Sequence, residues 1–141
     1  KHLPSDSDFE PLMTLYLSEE TTPAEIERAS RSPVVAAVKL YPKGATTHSA
    51  RGVGALDALG PVLDALEHFD LPLLVHGESI SPDCDVFDRE REFLDRSLIP
   101  LVERHAGLRV VFEHITTAAA ADSLSFMSVL LTTPPRQALV A

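Results

Sequence analysis

Apolar and polar positions along the chain fall into blocks of changing period, and those periods predict a succession of strands and helices. Residues 9–17 (FEPLMTLYL) form a short apolar run that alternates in its second half, the pattern of a strand. Thr22 then offers a capping hydroxyl and Pro23 a first helical position, ahead of a helix over 24–31 that Ser32-Pro33 breaks. Residues 34–41 (VVAAVKLY) are β-branched and nearly all apolar, as in a strand buried on both faces. A loop rich in Gly, Thr and Ser follows over 42–54. Leu56, Leu59, Leu63 and Leu66 then recur at helical spacing within 55–69, where Pro61 imposes a kink or break.

Residues 71–76 (LPLLVH) predict a third strand and 77–84 a loop. Asp85 is placed to cap a long helix over 86–105, with Phe87, Leu94, Leu98, Leu101 and Val102 as its apolar stripe and the charged run 88–92 as a solvated face. Gly107 is expected to stop that helix in the left-handed conformation. Residues 108–113 read as a fourth strand and 117–124 as helical, and 129–131 carry the start of a fifth strand. A β-α alternation repeated four times predicts an α/β fold with a parallel sheet.

At 141 residues the chain suits one domain. By length alone a doubly wound sheet is favoured, since a (β/α)8 barrel takes at least ~200 residues. A net charge of −9 opposes binding to a phosphate backbone, so no nucleic-acid partner is expected. The single cysteine, Cys84, excludes an internal disulfide and fits a reducing, cytoplasmic setting. No apolar run approaches the ~18 residues of a membrane helix, and the N-terminus lacks the apolar core of a signal peptide.

Three polar residues stand at the ends of apolar strands: Lys39, His76 and His114, at spacings of 37 and 38 residues. Parallel strands present their C-terminal ends on one face, where α/β proteins bind ligands, so these side chains are expected to converge. Neutral imidazoles are ready zinc ligands. Burial disfavours the lysine ammonium, and a neutral amine can add carbon dioxide to give a carbamate able to bridge two metals. This site reverses the preference for the doubly wound sheet. Glu113 is expected to point away from His114 and to be structural. Cys84 reads as an unreactive thiol, and Gly52-Val53-Gly54 lacks the third glycine of a dinucleotide fingerprint.

The segments Lys39-Leu40-Tyr41-Pro42, Ala45-Thr46-Thr47, Leu73 to Glu78 (LLVHGE), Phe87-Asp88-Arg89-Glu90 and Val111 to Thr117 (VFEHITT) resemble, in that order, the dihydroorotases that act as separate enzymes in pyrimidine synthesis. The resemblance runs from about Phe9 to Asp122. It implies a partial (β/α)8 barrel of about four β-α units with outer helices, residues 1–122 being its central part and 123–141 a divergent or frayed tail. The family uses two zinc ions to interconvert dihydroorotate and carbamoyl-aspartate. By that resemblance Lys39 is the carbamylated ligand, His76 and His114 hold one zinc, and Thr46, Thr47 and His76 meet the substrate. The family's His-x-His pair, its carboxylate-binding Arg and Asn, and its general-base Asp have no counterpart here. The resemblance thus implies an incomplete, inactive fragment prone to dimerise or self-associate through open sheet edges. Two alternatives stand beside it: another cyclic-amide hydrolase of the hydantoinase or dihydropyrimidinase type, and a non-catalytic barrel remnant acting as a binding or scaffold module.

Overall fold

The structure, a computed structural model, describes residues 10–123. Four strands, β1 (Met13–Tyr16), β2 (Val35–Leu40), β3 (Leu73–Val75) and β4 (Val110–Phe112), form one parallel sheet in the order β1-β2-β3-β4. Between them run α1 (Pro23–Ser30), α2 (Gly60–His68) and a composite helix made of α3 (Arg89–Phe93), a π-helical turn (Leu94–Leu98) and α4 (Ile99–Arg104).

Strand alternation assigns the two faces. Val38, Leu40, Leu73, Val75, Val110 and Phe112 are buried in one core with Ile26 of α1, Leu66 of α2 and Leu101 of α4. Each such side chain contributes roughly 1.5–3 kcal/mol of transfer free energy. The register puts Tyr16, Lys39, Leu74 and Val111 on the opposite face. A doubly wound sheet would reverse its strand order and carry helices on both faces. Sequential order with one shared helical layer is instead the wall of a (β/α) barrel, so the architecture favoured by length gives way.

Local chemistry accounts for most boundaries. Thr22 and Glu25 form a reciprocal capping box at the start of α1, with Pro23 in the first turn. Pro61 stands in the first turn of α2, directly after a 3₁₀ turn (Leu56–Leu59), so the expected break falls at the junction just before it. Residues 34–41 are not buried on both faces throughout, because Val34 and Ala36 are exposed.

The long helix departs further from its pattern. The Asp85 carboxylate accepts from the Phe87 amide at 2.9 Å and closes a turn, so helix begins only at Arg89. Phe87 is 87% exposed and outside the apolar stripe. The π-helical turn precedes Pro100, which has no N–H for the Arg96 carbonyl and whose ring crowds that turn. Gly107 is not left-handed. Its amide donates to Glu67 Oε1 at 2.7 Å, and a Cβ there would run into that carboxylate. Residues 118–123 are helical, capped by the Thr117 hydroxyl accepting from the Ala120 amide at 3.2 Å. Of the expected tail only Ser123 is described, and it continues this helix. The expected strand at 129–131 lies outside the described residues.

Candidate functional site

At the C-terminal edge of the sheet the ladder continues past the strands. The His76 amide donates to the Leu40 carbonyl at 3.0 Å and the Glu113 amide to the Val75 carbonyl at 3.1 Å. Tyr41, His76 and Glu113 thereby form the next layer above Tyr16, Lys39, Leu74 and Val111, on the face away from the helices. Lys39 therefore sits one layer below His76, and its long side chain spans the step.

Glu113 continues the Val111 side of β4, so alternation aims it into the site rather than away from it. His114 would by the same rule follow Phe112 towards the helices. It turns back because its backbone takes φ +41°, a left-handed conformation that costs a non-glycine residue free energy and recurs at functional sites. The sequence expectation for this pair is thus reversed. Glu113 is in the site by alternation, and His114 is there through a strained backbone.

Lys39 and the two histidines share this end of the sheet but pair differently. The Lys39 ammonium, on a side chain only 10% exposed, is bonded to the Glu113 carboxylate and lies 4.8 Å from the centre of the Tyr41 ring. The imidazoles find each other, with His76 Nδ1 3.2 Å from His114 Nε2. His76 Nε2 donates to Glu78 Oε2, a carboxylate oxygen that can only accept, at 3.1 Å, which turns Nδ1 towards His114. Arg89 Nη1 in turn donates to Glu78 Oε1 at 3.1 Å.

Two hollows open here with His114 as their common wall. One, of about 450 Å³, is lined by His76, Glu78, Phe87, Arg89, Glu90 and Thr116 among others. The second, of about 440 Å³, holds Thr14, Lys39, Tyr41, Leu74 and Glu113. Thr46 and Thr47 are exposed and line neither hollow. Their loop is tied down by buried Ser49, whose hydroxyl accepts from the Thr46 amide at 3.0 Å and donates back to the Thr46 carbonyl.

The charged run at 88–92 is only partly a solvated face. Arg89, Glu90 and Glu92 are half-buried. Arg89 and Glu90 lie one turn ahead of buried Phe93 and Leu94, and that i, i+4 relation was the signal available in the sequence. Glu90 accepts from the Thr116 amide at 2.9 Å and the Thr117 amide at 2.8 Å, and from both threonine hydroxyls. Burial pushes its carboxyl up, but the hydrogen bonds from Thr117 and Thr116 together outweigh that and hold it below the usual glutamate value. A depressed carboxylate stabilises the fold fully above its unfolded value, and the contribution is lost as pH falls through the folded one. Glu90→Gln is therefore expected to lose less stability than the parent chain when urea unfolding at pH 7 is compared with pH 3.5. Equal losses would contradict the clamp. Cys84 fits the unreactive reading: burial, then the Glu92 and Asp88 carboxylates, push its thiol up.

No protein-family model matches the chain. The dihydroorotase of Nitrosomonas eutropha is 58% identical over 120 residues, covering 85% of this chain and 35% of that protein. The dihydroorotase of Coxiella burnetii is 53% identical over 121 residues, or 86% and 35%. Among solved structures, dihydroorotase from Saccharomyces cerevisiae in complex with 5-fluoroorotic acid matches with a TM-score of 0.75 at 32% identity, covering 84% of this chain and 34% of that one. Dihydroorotase from Campylobacter jejuni matches with a TM-score of 0.76 at 35% identity, covering 86% and 34%. The chain spans about a third of the length of the relatives it matches. Over that third, the resemblance carried by the motifs and the partial-barrel fold are borne out.

Proposed function

We propose that this chain is the central part, residues 1–122, of a zinc-dependent dihydroorotase-type barrel acting on a cyclic amide, the interconversion of carbamoyl-aspartate and dihydroorotate, with 123–141 a divergent tail. The observation that carries the reading is the His76–His114 pair. Two nitrogens bound to one tetrahedral zinc at about 2.0–2.1 Å lie roughly 3.3–3.4 Å apart. The 3.2 Å between His76 Nδ1 and His114 Nε2, with the opposite nitrogen of His76 held by a carboxylate, fits such an ion. Zinc held there would supply Lewis-acid polarisation of an amide carbonyl and an activated water.

The chain's own residues take the remaining roles. The Lys39 ammonium first gives one proton to solvent; the neutral amine then forms a bond from Nζ to the carbon of carbon dioxide, one C=O π bond opening to a carboxylate oxygen, and a second proton leaves to solvent. That exchange turns a cation into an anion and dissolves the pairing with Glu113, so ion pair and carbamate are mutually exclusive states. His76 lies at the edge of the larger hollow, where it can meet a substrate carbonyl. The Thr46 and Thr47 hydroxyls are free on their loop to bind a substrate carboxylate. The reading assigns no general base to this chain. It places the protein in the cytoplasm, and no helix among the described residues is long and apolar enough to cross a membrane. It also has the chain associating through the outer edges of β1 and β4, where Leu12 and Met13 are exposed.

The test is zinc per chain by elemental analysis after purification with bicarbonate. About one zinc per chain is expected, lost in His76→Ala and in His114→Ala and reduced in Lys39→Ala. No zinc in the parent chain would remove the metal reading. It would favour the barrel remnant acting as a binding module, consistent with no cluster of three His, Cys, Asp or Glu among the described residues. Hydantoin and dihydropyrimidine substrates, offered beside dihydroorotate to a full-length relative carrying this segment, separate the hydrolase classes.

A further inference from the structure

The Phe87-Asp88-Arg89-Glu90 motif is part of the resemblance, yet the proposed chemistry gives it no task. Geometry supplies one. Arg89 donates to Glu78, and Glu78 accepts from His76. Its neighbour Glu90 grips Thr116 and Thr117 through two amides and two hydroxyls. Those threonines stand two and three residues beyond the left-handed His114, with Ile115 between. Two adjacent residues at the start of α3 therefore bear on the two histidines by separate routes, one through Glu78 and one through the backbone beyond His114, and ring nitrogens of the two histidines stand 3.2 Å apart.

We propose that Arg89 and Glu90 are positioning residues for the imidazole pair, Arg89 setting the tautomer and orientation of His76 through Glu78, and Glu90 setting the backbone of His114 through Thr116 and Thr117. The role as support for a metal pair rests on the reading given above, whereas the control of ring geometry does not. Several features fit this division. Glu78 uses one oxygen on each partner, so its orientation is fixed from both sides. Arg89 is half-buried, and its Nε is enclosed without a hydrogen-bond partner among the described residues, so the Nη1 bond to Glu78 is the polar contact that holds its guanidinium. Glu90 holds the backbone amides two and three residues beyond His114, whose positive φ is one of those that the fold must maintain.

The experiment observes the ring nitrogens of His76 and His114 by long-range ¹H–¹⁵N correlation in the 141-residue chain, without metal and then with zinc alone. Arg89→Ala is expected to mix the tautomers of His76 while leaving His114 near its parent shifts. Glu90→Ala is expected to move His114 and spare His76. Arg89→Lys and Glu90→Gln, which keep part of each contact, should give smaller changes at the same ring, and they carry the test if an alanine variant fails to fold. Zinc affinity should fall about tenfold or more in each alanine variant. Arg91→Ala, on the exposed side of α3, should change nothing. Folded variants in which neither ring moves, or in which both rings move alike, would overturn the proposal. If zinc leaves the parent rings unshifted, the metal reading fails, and the ring-by-ring split still decides the positioning roles.

Discussion

Glu113→Ala is expected to destabilise the chain by about 3 kcal/mol at neutral pH, because it leaves the Lys39 ammonium buried without its carboxylate. Breaking a buried pair from one side costs about 3–5 kcal/mol, and the lower end applies because the Glu113 side chain is 24% exposed. Most of that cost belongs to the orphaned charge rather than to the bond. The double variant Lys39→Met/Glu113→Leu, which removes both charges at similar volume, should therefore recover most of the loss. Urea unfolding of the parent, both single variants and the double variant closes the cycle. A Glu113→Ala chain within about 0.5 kcal/mol of the parent would mean that the ammonium reaches water, and that the pair is of the weak, exposed kind. The same cycle bears on the proposed function, since the carbamate proposed at Lys39 requires that this pair be given up.

Gly77→Ala should cost a comparable amount, about 3 kcal/mol, at the upper end of what overpacking a core imposes. A Cβ at Gly77 would overlap the ring of Phe112, which is fully buried in β4. The ring cannot swing aside, because it is packed into the shared core of sheet and helices. Phe112→Leu in the same background should restore part of the loss by vacating the volume the new methyl needs. Gly77 also directly follows His76, so Gly77→Ala should displace the imidazole and weaken the proposed zinc binding alongside stability. Unchanged stability in Gly77→Ala would show that the two strand ends separate more easily than their packing implies.

The sheet and helix positions were legible wherever local chemistry decides them. The Thr22 cap, the break at Pro61 and the apolar runs of all four strands act within a few residues, so their outcomes follow from neighbours in the chain. The long helix departs from its local pattern where a short-range competitor wins: Asp85 closes a turn instead of capping a helix, and Pro100 disturbs the hydrogen bonding of the turn before it. At Gly107 the local pattern implies a backbone role, but the need for glycine is steric and is created by Glu67 of α2.

By itself, the sequence determined the α/β alternation, the C-terminal placement of Lys39, His76 and His114, and the motifs that tie the chain to dihydroorotases over a third of their length. Tertiary structure alone decided that the sheet runs in barrel order, that Lys39 stands one layer below His76 and pairs with Glu113, and that Arg89 bonds Glu78 while Glu90 bonds Thr116 and Thr117. Periodicity reports which face a residue occupies relative to its own element. Register between strands and the partner of a buried charge depend instead on contacts between residues far apart in the chain, and a left-handed backbone at His114 overrides the alternation that local pattern assumes.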